Sequence, residues 1–214
     1  MQSIGILGGN FDPIHFGHLR LAQEAVEVFH LSEIRFIPSG QPPHRSRAQV
    51  SDVHRLAMLD IALADNSHFK VDQRELENSM LTYTVDTLQS LRADLGTIAP
   101  LALLIGADQF QVFHTWHHWN DIFTLAHLVV AERPGAEANI HGLLQPVAEA
   151  VSQRFSDHPR TLHDACAGRV FRYALTPLAI SSSGIRAALK SGRTPRYLLP
   201  DAVLDYIRHN NLYA

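Results

Sequence analysis

Ser3-Ile4-Gly5-Ile6-Leu7-Gly8 runs straight into Gly9-Asn10-Phe11-Asp12-Pro13-Ile14-His15-Phe16-Gly17-His18. The first six residues are short, apolar and closed by turn formers, the pattern of a central strand in a parallel sheet. Paired glycines, Gly8 and Gly9, let the backbone turn sharply and let a phosphate or an adenine approach with no Cβ in the way. Leu19, Ala22, Val26 and Phe29 then recur at a three-to-four spacing, so a helix follows. Its first-turn amides and the positive end of its dipole point back at the turn. His15 and His18 are three apart and face the same way on one helical turn. Two imidazoles beside a phosphate can donate hydrogen bonds to oxygens that gain charge during a displacement.

Three other readings of this run are weaker. Two histidines do not make a metal site, and neither an HExxH pattern nor a cysteine supports them, so no protein-held metal is expected. The turn contains neither GxGxxG nor GxxxxGK[ST], which excludes a dinucleotide fingerprint and a Walker loop. A chain with 14 histidines can carry an incidental one, but not the whole run from Gly8 to His18.

Outward from this turn the chain alternates. Ile34–Pro38, Phe69–Asp72, Leu101–Gly106, His127–Glu132 and Val170–Ala174 have the same strand character as Ser3–Gly8. Between them, Leu56, Leu59 and Leu63, and then Val85, Leu88, Leu91 and Leu95, repeat at helical spacing. The alternation predicts an α/β fold, a doubly wound and mostly parallel sheet with helices on both faces. Ligands of such sheets bind beyond the carboxyl ends of the strands, here after Leu7, Ile37, Ile105 and Ala131. Pro38–Ser51 and Gly135–Arg169 read as loops, the second with a helix-compatible stretch at Leu143–Phe155.

The 214 residues fit one domain spanning 1–214, with a helical part from about residue 183. With 46% hydrophobic and 18% charged residues the chain is an ordinary packed globule. A net charge of -3 and the lack of a basic stripe argue against a nucleic-acid partner. The single Cys166 excludes an internal disulfide framework. The longest apolar run, Ile98 to Ala107, contains Pro100 and falls short of the roughly 18 residues of a membrane span. No signal-peptide core fits ahead of Gly8, and a soluble, cytoplasmic protein is expected. Oligomeric state is not legible.

Near the other end stands Ile180-Ser181-Ser182-Ser183-Gly184-Ile185-Arg186, followed by Ala187-Ala188-Leu189. Serines before a helix are ordinary N-caps. Three hydroxyls with Arg186 one turn in exceed what capping requires, and together with first-turn amides they suit a di- or triphosphate tail.

Gly8–His18, with its HxGH ending, and Ile180–Arg186 together resemble the nucleotidylyltransferase superfamily. Pro42-Pro43-His44-Arg45, Tyr83-Thr84, Gly106-Ala107-Asp108, Thr115-Trp116, Arg133-Pro134-Gly135 and Leu198-Leu199-Pro200 narrow the resemblance to the bacterial nicotinate-mononucleotide adenylyltransferases. The resemblance implies a Rossmann-like fold and transfer of AMP from ATP to nicotinate mononucleotide, releasing pyrophosphate. It implies direct attack without a covalent enzyme intermediate, chemistry that needs mainly positioning and charge stabilisation.

By the same resemblance, His15 and His18 would hold the ATP phosphates and act with Arg186 in catalysis. Gly8, Gly9, Asn10 and Phe11 would cradle ATP. Ile180, Ser181, Ser182, Ser183 and Arg186 would close around its β- and γ-phosphates, and Gly106 and Asp108 would face the adenosine. Magnesium would be held by the phosphates and water. Trp116 would stack on the pyridine ring, and amides near Thr84 and His117, with Tyr83 and Arg133, would receive the nicotinate carboxylate. His44 and Arg45 would meet the mononucleotide phosphate. Trp116 has an alternative as a core aromatic, Tyr83-Thr84 as a helix cap and Arg133 as the close of a strand. Asn10 stands where threonine is common in the family, and Arg45 where lysine is frequent, which keeps the charge but changes its geometry. Two further readings stay open: the same chemistry on nicotinamide mononucleotide or another phosphorylated acceptor, and a nucleotide sensor without turnover.

Overall fold

The computed structural model describes residues 2–40, 48–78, 80–132 and 142–214. Six strands, β1 (Ile4–Gly9), β2 (Glu33–Pro38), β3 (Phe69–Val71), β4 (Leu101–Gly106), β5 (His127–Glu132) and β6 (Val170–Ala174), form one sheet. Their order is β3-β2-β1-β4-β5-β6 and every pairing is parallel, so the mostly parallel sheet expected from the sequence is wholly parallel among the described residues.

The strands are apolar on both sides because both faces of the sheet are covered. Along β4, Leu101, Leu103 and Ile105 enter one apolar cluster while Ala102 and Leu104 enter another, as the two-residue strand period requires. Helices α1 (Phe16–Phe29) and α2 (Asp52–Leu63) supply Ala22, Phe29, Met58 and Leu59 to the second of these clusters. Helices α3 (Arg74–Glu77) and α4 (Thr84–Leu95) follow, and α4 sets Val85, Leu88 and Leu91 in the first. Short helices α5 (Ala107–Gln111) and α6 (Ile122–Leu125), then α7 (Gln145–Ser152), cover the same face. Finally α8 (Ser182–Lys190) and α9 (Asp201–His209) return to the α1 side through Ile185, Val203, Leu204 and Ile207. Each fully buried large side chain, such as Phe29 against Phe171 and Tyr173, contributes about 1.5–3 kcal/mol of burial.

Boundaries moved where polar groups intervened. β2 begins one residue early, at a buried Glu33 whose carboxylate accepts from Arg35 and Lys70. β3 stops before Asp72, which is turned toward Arg74 and Arg35. Within Gly135–Arg169, α7 uses Val147 and Val151 as core residues, and a 3₁₀ stretch at Pro159–Asp164 buries Leu162. Among the described residues no helix is long and apolar enough to cross a membrane.

The strand order places the site. The chain builds outward from β1 in one direction through β2 and β3, then returns to β4 and builds the other way. Neighbouring β1 and β4 therefore send their following loops to opposite faces, and a crevice opens between their carboxyl ends.

Candidate active site

A cleft of about 700 Å³ lies in that crevice. Gly8, Gly9, Asn10 and Phe11 form its floor at the end of β1, and Gly106 and Asp108 line it at the end of β4. A Cβ on Gly8 would meet nothing within 4 Å, so the space above this residue is open to a ligand. Gly106 is different: its missing Cβ would fall 2.6 Å from Asp108 Oδ1, and the absent side chain makes room for that carboxylate.

The first turn is held by its own side chains. Phe11 has a φ of 46°, a left-handed conformation that costs a non-glycine residue about 1–2 kcal/mol. Burial of its ring against Phe36, with centroids 5.7 Å apart, offsets that cost. The Asp12-Pro13 peptide is cis. Arg55, from α2, is fully buried and donates to the carbonyls of Asn10 at 3.0 Å and Ser39 at 2.7 Å. It also pairs with Asp52 Oδ1 at 2.6 Å.

His15 and His18 form a stack with ring centroids 3.7 Å apart and planes 21° from parallel. The edge of Phe11 meets His18 at 5.1 Å. His18 lines the cleft, whereas His15 is only 3% exposed and lies behind it, supporting the ring in front. Gly17 sits beside this stack, where a Cβ would come within 3.0 Å of the His15 ring. A side chain at the glycine of HxGH would thus press on the His15 ring.

Helix α8 brings the second cradle to the same place. Ser182, Ser183 and Arg186 line the cleft. Ser182 Oγ donates to the Pro13 carbonyl at 2.9 Å, and Arg186 Nη1 donates to the Asp12 carbonyl at 2.6 Å. Ile180 and Ser181 were expected to touch ATP as well, but neither is on the cleft wall. Ser181 is the N-cap of α8, accepting from the Gly184 amide at 3.1 Å, and Ile180 packs against the core.

A third group comes from the β4 side. Tyr83 is the N-cap residue of α4 and contributes no side-chain cap, leaving first-turn amides such as that of Thr84 without intrahelical partners. The Tyr83 and His117 rings lie 4.3 Å apart, so the α4 start and the turn after Trp116 adjoin. Trp116 is half-buried, packed against Phe113 at 5.4 Å on one side while lining the cleft. The tryptophan is thus a core aromatic on one side and a cleft residue on the other. His117, for which no side-chain role was expected, lines the cleft as well. His44, Arg45 and Arg133 lie outside the described residues.

Sequence reasoning passed over several residues that shape the cleft. Glu75 accepts from Thr87 Oγ1 at 2.7 Å and Thr82 Oγ1 at 3.3 Å, tying α3 to the start of α4. Arg55 stands four residues before Leu59 and eight before Leu63, and a cation on an apolar helix stripe was the available signal for it. Asp12 was quoted only as part of its motif, yet it is 3% exposed and accepts from the Gln49 amide at 2.7 Å and the Tyr213 hydroxyl at 2.7 Å. Nothing local in the sequence marks Tyr213.

The chain resembles known proteins along its whole length. Residues 6–188 match the cytidylyltransferase-like family model. A protein of Dechloromonas aromatica named "Probable nicotinate-nucleotide adenylyltransferase" is 46% identical over 212 residues, covering 99% of this chain and 98% of the relative. One of the same name from Halorhodospira halophila is 45% identical over 214 residues, covering 100% and 96%. The Plasmodium falciparum nicotinic acid mononucleotide adenylyltransferase complexed with NaAD shares the fold at a TM-score of 0.73 and 20% identity, covering 100% of this chain and 98% of that one. The protein therefore belongs to the cytidylyltransferase-like family and, within it, to the nicotinate-nucleotide adenylyltransferases.

Proposed function

We propose that this chain, as one nucleotidylyltransferase domain over 1–214 with its helical part from about 183, transfers AMP from ATP to nicotinate mononucleotide in the cytoplasm. The products are nicotinate adenine dinucleotide and pyrophosphate, a step of NAD biosynthesis. One observation carries the reading. A single cleft at the β1/β4 crevice is lined by His18, Ser182, Ser183 and Arg186 from two phosphate-type motifs, and by Thr84, Trp116 and His117 from the β4 side.

In this reading an oxygen of the mononucleotide phosphate attacks the α-phosphorus of ATP. The new P–O bond forms as the bond to the β-phosphate oxygen breaks, and pyrophosphate leaves with that electron pair. His18, backed by the buried His15, stabilises charge at the reacting phosphate. Ser182, Ser183 and Arg186 hold the β- and γ-phosphates, where negative charge accumulates. Gly8, Gly9, Asn10 and Phe11 bring backbone close to ATP, and Asp108 takes adenosine hydroxyls. Trp116 stacks on the pyridine ring, and amides at Thr84 and His117, with Tyr83 and Arg133, take the carboxylate, while His44 and Arg45 take the mononucleotide phosphate. The donors facing the phosphates are imidazole, hydroxyl and guanidinium, which suit phosphate oxygens better than a cation. Magnesium would be held by the ATP phosphates and water and would supply neutralisation of phosphate charge.

The test is incubation with ATP and magnesium, offering nicotinate mononucleotide and nicotinamide mononucleotide in parallel, with pyrophosphate and dinucleotide followed. Strong preference for the acid is expected. Equal use of both acceptors would remove the carboxylate assignment, and ATP hydrolysis without dinucleotide would sink adenylyl transfer.

A further inference from the structure

We infer that Tyr213 is a positioning residue for the ATP-phosphate grip, acting through Asp12 on Arg186; the inference rests on the reaction proposed above. The Asp12 carboxylate joins three parts of the chain that are distant in sequence. Its Oδ1 accepts from Tyr213 Oη at 2.7 Å across 201 positions, and its Oδ2 accepts from the Gln49 amide at 2.7 Å. Oδ2 also lies 3.7 Å from Arg186 Nη1, the atom that donates to the Asp12 carbonyl at 2.6 Å. Arg186 is thus fixed from two sides by one residue, and that residue's side chain is oriented by the phenol.

The phenol is itself well anchored. After α9 the chain is bonded back on the helix, Asn210 to the Tyr206 carbonyl at 3.1 Å and Leu212 to the Ile207 carbonyl at 3.0 Å, while Leu212 and Tyr213 pack on the core. Burial first, and then the Asp12 carboxylate, push the Tyr213 hydroxyl far above its ordinary value, so it stays a neutral donor. Arg186 lines the cleft, and its Nε is buried without a hydrogen-bond partner among the described residues. A guanidinium whose Nη1 is held by protein meets a phosphate in one orientation. Freed from Asp12, it would keep its charge but lose that orientation, and the rate depends on orientation.

The experiment is a double-mutant cycle of Tyr213→Phe and Arg186→Ala, read as kcat and KM for each substrate with a thermal melt of every variant. In the parent background Tyr213→Phe should lower kcat/KM for ATP about 3- to 10-fold, the scale of one lost hydrogen bond. KM for nicotinate mononucleotide should not move. In the Arg186→Ala background the same substitution should change kcat/KM by about twofold or less, because the partner it acts through is gone. An equal fall in both backgrounds, a shift confined to the mononucleotide, or no change in the parent would overturn the inference. Should Tyr213→Phe fail to fold, Asp12→Asn reads the same coupling, since it keeps a side-chain acceptor and removes the charge facing Arg186. If the parent makes no dinucleotide, the failure belongs to the proposed reaction. The coupling is then read by calorimetry: Tyr213→Phe should weaken ATP binding and leave AMP binding unchanged, and equal effects on both nucleotides would overturn it.

Discussion

His15 and His18 stack face to face at 3.7 Å, one ring buried and the other on the cleft wall, so the exposed imidazole is held by the hidden one. The pair divides its work between positioning and contact. In the proposed reaction, replacing His18 with Ala removes the donor assigned to the reacting phosphate but leaves the Gly8–Phe11 floor and the α8 residues in place. We expect ATP affinity to be largely kept while kcat falls about 10²–10³-fold, the cost of one charge-stabilising donor. Equilibrium ATP binding set beside steady-state turnover checks this, and equal losses in both would remove His18 from the transition state.

Gly17→Ala tests the stack from its side. Alanine is the better helix former by about 1 kcal/mol, so propensity alone predicts a more stable protein. The new methyl would come within 3.0 Å of His15 Cε1 and Nδ1, and the ring cannot retreat without shifting His18. We expect kcat to fall about tenfold or more, since small misplacements near the chemistry are costly. Thermal stability should change by no more than a few degrees. A variant with full turnover would show that the His15 position is slack.

How much of this was legible follows from the range of each signal. The strands could be read because a doubly covered sheet writes continuous apolar runs, and α1, α2 and α4 because their periodicity is local. The first turn and Ile180–Arg186 stand out as contiguous motifs, and the fold brings residues of both onto one cleft. Helix α3 has four residues and none buried, so it leaves no periodic trace, and its Glu75 went unread. Ile180 and Ser181 belong to a motif that serves capping and core packing as well as the cleft, and sequence alone does not divide those tasks. Arg55 and Tyr213 act through polar contacts with residues 45 and 201 positions away, a separation that propensity and pattern do not register.

Arg55 gives a prediction of a different kind. Its substitution by Met leaves the Asn10 and Ser39 carbonyls without their donor, and each buried orphan costs about 1–3 kcal/mol. The neighbouring Asp52 carboxylate is well exposed, so water can take over its share. Urea unfolding should show a loss of about 3 kcal/mol. ATP binding should weaken too, because Asn10 belongs to the cleft floor. Arg55→Lys should recover only part of either, since one ammonium cannot span both carbonyls in the fork geometry of a guanidinium.

His127 is fully buried at the start of β5. The Arg169 amide donates to its Nδ1 at 3.0 Å, which requires that nitrogen to be bare, and its Nε2 then carries the proton donated to the Ala165 carbonyl at 2.9 Å. The fold thus specifies a neutral ring. Burial first, and then the nearby Arg169 and Arg92 charges, lower its pKa from the ordinary 6.5, against the upward pull of the Ala165 bond. Below about pH 6.5 the unfolded chain takes up a proton that the folded chain refuses, so this group's contribution is complete above that pH and is lost as pH falls toward the folded value. The slope can reach about 1.4 kcal/mol per pH unit. Glu24, Glu33 and Asp72 enter only at lower pH: burial raises each, but their hydrogen bonds and ion pairs outweigh it and leave them below the usual carboxylate range. Urea midpoints between pH 7.5 and 5 should therefore fall in the parent, and fall less steeply in His127→Gln, which keeps an acceptor and a donor but does not titrate. Identical slopes for the two proteins would mean that His127 takes up its proton as readily in the folded chain as in the unfolded one.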